Sequence, residues 1–243
     1  MTLDVAGVFA DAWRMWKRDR DLLLGVAGLF LFVPQLAMEV LVPPAVIPPG
    51  STTEAAFKTW WAWLDQNSGI MSFAMLGLMF GTLLLFTLYL DPQRPSVRDA
   101  LMRALSLAPR YLLAVMLISI PVDLGVILIL PGVYILGRLM LTVPALVAER
   151  PLPALRAIAR SFAITSGHGL VLAGFACISL FSGTILAWPF HAIGEALGGA
   201  PMANPVAAFL LGVGAAGGLA AAMVASILLE VSLYRRLGAS KGI

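Results

Sequence analysis

The sequence predicts an all-α, polytopic membrane protein: six transmembrane helices as three hairpins, with a basic interfacial helix before each outward-going helix. Three observations predict it. Of 243 residues, 60% are hydrophobic and only 12% are charged, about half the charged share of a soluble domain. The apolar residues fall in long runs, each of the roughly 17–25 residues that cross a ~30 Å hydrocarbon layer. Finally, the basic residues gather in alternate connections between those runs.

The first run extends from about Leu22 to Val42, and the second from about Ile70 to Leu90. Tyr111 to Glu149 is too long for one span, and Pro131-Gly132 cuts it into two helices of a tight hairpin. The fifth run covers about Gly169 to Trp188 and the sixth about Pro205 to Glu230. Helices are required because lipid offers backbone amides no partner. The chain then reads as one membrane domain: 1–21 an interfacial N-terminal helix, 22–90 a first hairpin with an outer Trp-rich loop, 91–149 a second hairpin, and 150–243 a third hairpin and C-terminal tail.

Sixteen basic residues set the orientation. Arg14, Lys17, Arg18 and Arg20 precede the first span; Arg94, Arg98, Arg103 and Arg110 separate the second from the third. Arg150, Arg156 and Arg160 lie between the fourth and fifth, and Arg235, Arg236 and Lys241 follow the sixth. The 43–69 and 189–204 connections hold one basic residue between them, Lys58. The positive-inside rule therefore predicts a multi-pass protein of the cell inner (plasma) membrane, with N-terminus and C-terminus cytoplasmic. No cleavable signal peptide is expected, since the first apolar run follows a basic segment and has no small-residue cleavage site after it.

Basic amphipathic segments precede the outward-going spans at Val8 to Arg20, Ser96 to Arg110 and Pro153 to Thr165. Such segments lie in the membrane interface with their cations towards anionic headgroups. The unit occurs three times, as a triplication or as the shared outcome of one topology rule. On the outer side, prolines stiffen the exit from the first span, and Phe57, Trp60, Trp61 and Leu64 share a face of a short helix expected flat on the surface. This aromatic face reads as an interfacial anchor or as a lipid or partner contact.

Two ionisable residues fall well inside spans: Asp123 and Arg138, equidistant from the Leu130-Pro131 turn. In an antiparallel hairpin they share a depth roughly 11 Å from it. A lone charge there costs about 2.5–3.5 kcal/mol, so an ion pair is expected, either as a structural register lock or as the lining of a substrate or proton path. Gly77 and Gly81, and Gly214 and Gly218, form GxxxG motifs, and Gly212 to Ala222 is almost wholly Gly and Ala. Close helix packing within the chain and a homo-oligomeric seam are the two readings.

Catalytic and cofactor signals are missing. His168 and His191 sit at opposite faces, the single cysteine, Cys177, lies in an apolar run, and no HExxH, GxSxG or phosphate-loop motif occurs. No enzyme activity, no metal, no cofactor and no nucleic acid partner are expected.

One stretch carries a family resemblance. It is Pro131-Gly132-Val133-Tyr134, Arg138-Leu139 and Val143-Pro144 through Glu149, continuing as Pro153-Ala154-Leu155-Arg156-Ala157 and Arg160-Ser161 through Thr165-Ser166-Gly167. Over roughly residues 95–190 this resembles the integral-membrane domain that accompanies some bacterial glycerophosphodiester phosphodiesterases, and related stand-alone inner-membrane proteins. The resemblance implies that Arg138 matches the family's intramembrane arginine and Arg160-Ser161 its basic-serine pair. It implies a membrane module without phosphodiesterase activity, since the soluble catalytic domain is not among these residues. The function expected is a non-enzymatic membrane module in envelope or lipid homeostasis, whose partners are membrane lipids, anionic headgroups at the cytoplasmic face, and a protein partner or second copy. The alternative is a small transporter or exporter of an amphipathic molecule through the Asp123/Arg138 region.

Overall fold

The computed structural model describes residues 3–93, 95–126, 129–149, 152–198 and 204–240, with the side chains of 123–126, 129–130 and 239–240 outside that description. Helix α1 (Val5–Ala27) opens on Asp4, whose carboxylate accepts the Gly7 amide at 3.0 Å, satisfying one of the first-turn donors. Its backbone leaves helical values at Asp19 (φ −115°, ψ 20°), so a basic arm, 5–18, is set off from the apolar part. A π-helical turn, Gly28–Phe32, then leads into α2 (Val33–Leu41). Pro34 explains the turn: it has no N–H for the Phe30 carbonyl one turn back.

The second span is the 38-residue α3 (Thr53–Leu90). The aromatic segment expected as a separate helix flat on the outer surface is instead the first part of α3. No proline interrupts the backbone ladder, and Asn67 and Ser68 turn their side chains back onto the Trp63 and Asp65 carbonyls, both at 2.8 Å. At 1.5 Å per residue α3 is ~57 Å long, so even at a ~40° tilt it extends beyond a ~30 Å hydrocarbon layer.

Helix α4 (Val97–Val126) carries the second basic segment unbroken into its span. Helix α5 (Ile129–Leu139) follows. Pro131 and Gly132, expected to form the turn, lie in its first helical turn, where a missing proline N–H has no intrahelical partner to lose. The span breaks at Met140-Leu141 and resumes as α6 (Thr142–Ala148); Pro144 cannot donate to Met140, which removes the bond that would bridge the break. The third basic segment is a separate helix, α7 (Ala154–Ile164), joined to α8 (Gly169–Ala196) by a short turn in which Gly167 adopts φ +83°. The last helix is α9 (Pro205–Ser240).

Among the described residues, six helical stretches are long and apolar enough to cross a membrane: Val5–Leu41, Thr53–Leu90, Val97–Val122, Pro131–Ala148, Gly169–Ala196 and Pro205–Gly238. The chain is thus a polytopic membrane protein. Its spans pack in chain order around a ring, and the sixth closes on the first, α9 touching α1 and α2 on one side and α8 on the other. The short α6 enters this ring and meets α3, α4, α7 and α9.

One end of the bundle gathers most of the ionic contacts. Arg236 Nε meets Asp11 at 2.6 Å and its Nη1 meets Asp4 at 3.3 Å, fastening the arm to the end of α9. The Tyr89 hydroxyl donates to Asp19 (3.0 Å), while Arg235 donates to the Tyr89 carbonyl (2.6 Å), bringing in the end of α3. Arg103 of α4 pairs with the buried Asp91 at 2.6 Å. Both Glu149 oxygens accept from Arg160 Nε at 2.9 Å, and one also accepts from the Tyr234 hydroxyl at 2.7 Å. The main hydrophobic core lies beneath this end, around Leu83 to Phe86, Ala104, Leu146 and Leu233. At the opposite end Glu39 approaches His191 (3.8 Å) and Gly212 packs beside Glu39 and Val40.

Candidate functional site

Two places bring together residues that composition alone leaves scattered. The first surrounds the break in the fourth span. Because α6 begins only at Thr142, the Arg138 carbonyl has no helical donor four residues on. It accepts instead from the Ser161 hydroxyl at 2.7 Å; Thr165 Oγ1, which donates to the Ser161 carbonyl at 2.7 Å, lies 3.4 Å away. Both hydroxyl residues are fully buried, so they link α7 to the break without meeting solvent. The Arg138 guanidinium returns the contact, Nη2 donating to the Phe162 carbonyl at 2.7 Å, with the guanidinium 5.2 Å from the Phe162 ring centre. Its Nη1 lies 3.4 Å from the Tyr134 hydroxyl, and that tyrosine packs on Gly169 at the start of α8.

Tyr134, Arg138, Pro144, Ser161 and Thr165, spread over some thirty residues of sequence, thus form one joint between α5, α6, α7 and α8. Gly137 completes it: a β-carbon there would lie 2.6–2.8 Å from the backbone of Leu172 and Ala173. Asp123, proposed as the partner of Arg138, lies on α4 with its side chain outside the described residues.

The four glycines singled out in the sequence all face other helices of the same chain. Gly77 and Gly81 seat the π-helical turn of the first span, with Pro34 and Phe30 against them. Gly214 faces the Phe190 ring, and Gly218 the backbone of Leu186. Among the aromatics in the first part of α3, Phe57 and Trp61 meet edge to face at 5.8 Å, and Trp60 stacks on Trp63 at 5.0 Å. Trp63 Nε1 donates to the Pro43 carbonyl at 2.8 Å, holding the proline-rich loop to α3. Phe57, Trp60 and Trp61 remain exposed, and Leu64 is half-buried.

The second place is a cavity of about 760 Å³ between α1 and α8. These helices both pack on α9 and leave a slot over it. Gly217, Ala221 and Ala225, one helical turn apart, form its floor with Ala220, Val224 and Leu228. Leu23, Leu24, Ala27 and Phe32 make one wall; Ile178 and Ser182 make the other. The arm covers the end nearest the ionic cluster, with Phe9, Trp13 and Trp16 turned into the slot. Stacking of Phe9 on Phe175 at 5.5 Å joins the arm to α8 there. Apart from Ser182 and Ser226 the lining residues are apolar or small, and among the described residues none of the lining is titratable.

On the arm's other face a separate cavity of about 550 Å³ is lined by Asp11, Arg14, Met15, Arg18, Ser232 and Arg235. The arm is therefore two-sided, ionic on one face and aromatic on the other. Attention to its cations alone passes over Phe9, Trp13 and Trp16; their spacing of four and three residues was the available signal. Among the described residues no three His, Cys, Asp or Glu side chains converge to hold a metal ion. No protein-family model, curated protein or solved structure matches the chain.

Proposed function

We propose that the chain is a non-enzymatic inner-membrane module that holds a membrane lipid in the slot between α1 and α8. The basic end would face the cytoplasm, and the role would be in envelope or lipid homeostasis. The observation that carries this reading is the slot itself. Its volume of about 760 Å³ falls within the roughly 300–1,000 Å³ of ligand sites. Hydrocarbon suits its apolar lining, whereas catalysis would need a nucleophile, a base or a metal. The motif resemblance to membrane domains that accompany glycerophosphodiester phosphodiesterases adds support.

Protein released in a mild detergent and examined by native mass spectrometry should retain lipid. A Gly217→Leu/Ala221→Leu variant, which fills the floor, should lose most of it. Equal retention by both proteins would place the lipid elsewhere and overturn the reading.

A further inference from the structure

We infer, resting on the lipid-holding reading above, that the occupant of the slot is a phospholipid of net negative charge, with its headgroup phosphate on Lys17. The arm carries four cations between residues 14 and 20. Three of them have a carboxylate beside them: Arg14 with Asp11, Arg18 with Asp19 at 2.8 Å, and Arg20 with Asp21 at 3.5 Å. Lys17 has none among the described residues. Its ammonium lies 5.4 Å from the centre of the Trp13 ring, a cation–π contact that fixes its position without cancelling its charge.

Trp13 belongs to the roof of the slot and is 58% exposed, so Lys17 puts an unneutralised charge at the roofed end. Away from that charge the slot is hydrocarbon-like. A ligand matching both parts has an anionic head beside the arm and acyl chains running along α9. A zwitterionic headgroup matches less well, because its own ammonium competes for the phosphate that Lys17 would hold. A partner helix fits poorly: at about 10 Å across, fewer than about two turns would fill a volume this size.

The test uses the full chain in detergent, titrated with phosphatidylglycerol or phosphatidylcholine of matched acyl chains and read by native mass spectrometry. Wild type should favour phosphatidylglycerol by about tenfold, as expected for one charge-assisted contact. Lys17→Gln should abolish that preference while still taking up both lipids. Arg14→Gln removes an equal charge from the arm's opposite face and should keep the preference. Equal uptake of the two lipids by wild type, or equal loss of preference in the two variants, would overturn the inference and leave the lipid-holding reading standing. Uptake of both lipids unchanged by Gly217→Leu/Ala221→Leu would instead remove the reading on which it rests.

Discussion

The Gly- and Ala-rich part of α9 presents two faces that meet different surroundings. On one face Gly214 and Gly218 lie against the Phe190 ring and the Leu186 backbone, so that α8 packs where side chains of α9 would otherwise stand. On the other, Gly217 has nothing within 4 Å of where a β-carbon would stand, and Ala221 and Ala225 are exposed. The same residue types serve close packing on one side and an open slot on the other. In a membrane, small residues at an interface bring van der Waals contact between helices; left uncovered, they form a concave surface that matches lipid chains. Composition cannot separate these uses, because adjacent residues of one helix belong to each.

The comparison breaks most readily at neighbouring glycines. Gly218→Leu places a β-carbon 2.9 Å from the Leu186 carbonyl group, which must move. A loss of about 1–3 kcal/mol or more is expected, seen as lower thermal stability in detergent. Gly217→Leu, one residue away, should change stability by no more than about 0.5 kcal/mol; equal destabilisation by the two would show that the faces do not differ.

The joint at the fourth-span break supplies the next largest effects. Arg138→Ala removes the bond to the Phe162 carbonyl and the contact with its ring, and a loss of about 1.5–3 kcal/mol is expected for a hydrogen bond from a charged group. Wild-type melting behaviour would show that α7 is held by other contacts. Replacing Ser161 with Ala and Thr165 with Val together leaves the Arg138 carbonyl without either hydroxyl donor, at a cost of about 1–3 kcal/mol. Ser161→Ala alone should cost less, because Thr165 Oγ1 is already 3.4 Å from that oxygen; single and double variants of equal stability would exclude this substitution of donors.

How much of this was legible in the sequence depends on how local its cause is. Six apolar runs and the charges between them announce the spans, because each run must satisfy the bilayer on its own. The break at Met140-Leu141 was announced by Pro144 but could be read only as a bend, since the donors that receive the freed carbonyl come from Ser161 and Thr165. Pro131-Gly132 misled in the opposite direction: a pair strong as a turn signal is equally at home in a helix's first turn. The slot was not legible. It requires that α1 and α8 both dock on α9 and meet each other only at the Phe9–Phe175 stack, a fact about three helices that no local pattern states. Trp13 and Lys17 are one turn apart, so their pairing could be read from spacing, but not that Trp13 roofs a cavity.

The closure of the sixth span on the first also fixes an order of events during synthesis. A chain emerging from the ribosome N-terminal end first has made α1 through α8 before α9 exists. Until then Asp4 and Asp11 have no Arg236, and the sides of α1 and α8 that will meet α9 lie open to lipid or to the insertion machinery. Ring closure and slot formation therefore both wait for α9. The concave surface forms only after α1 through α8 have been made.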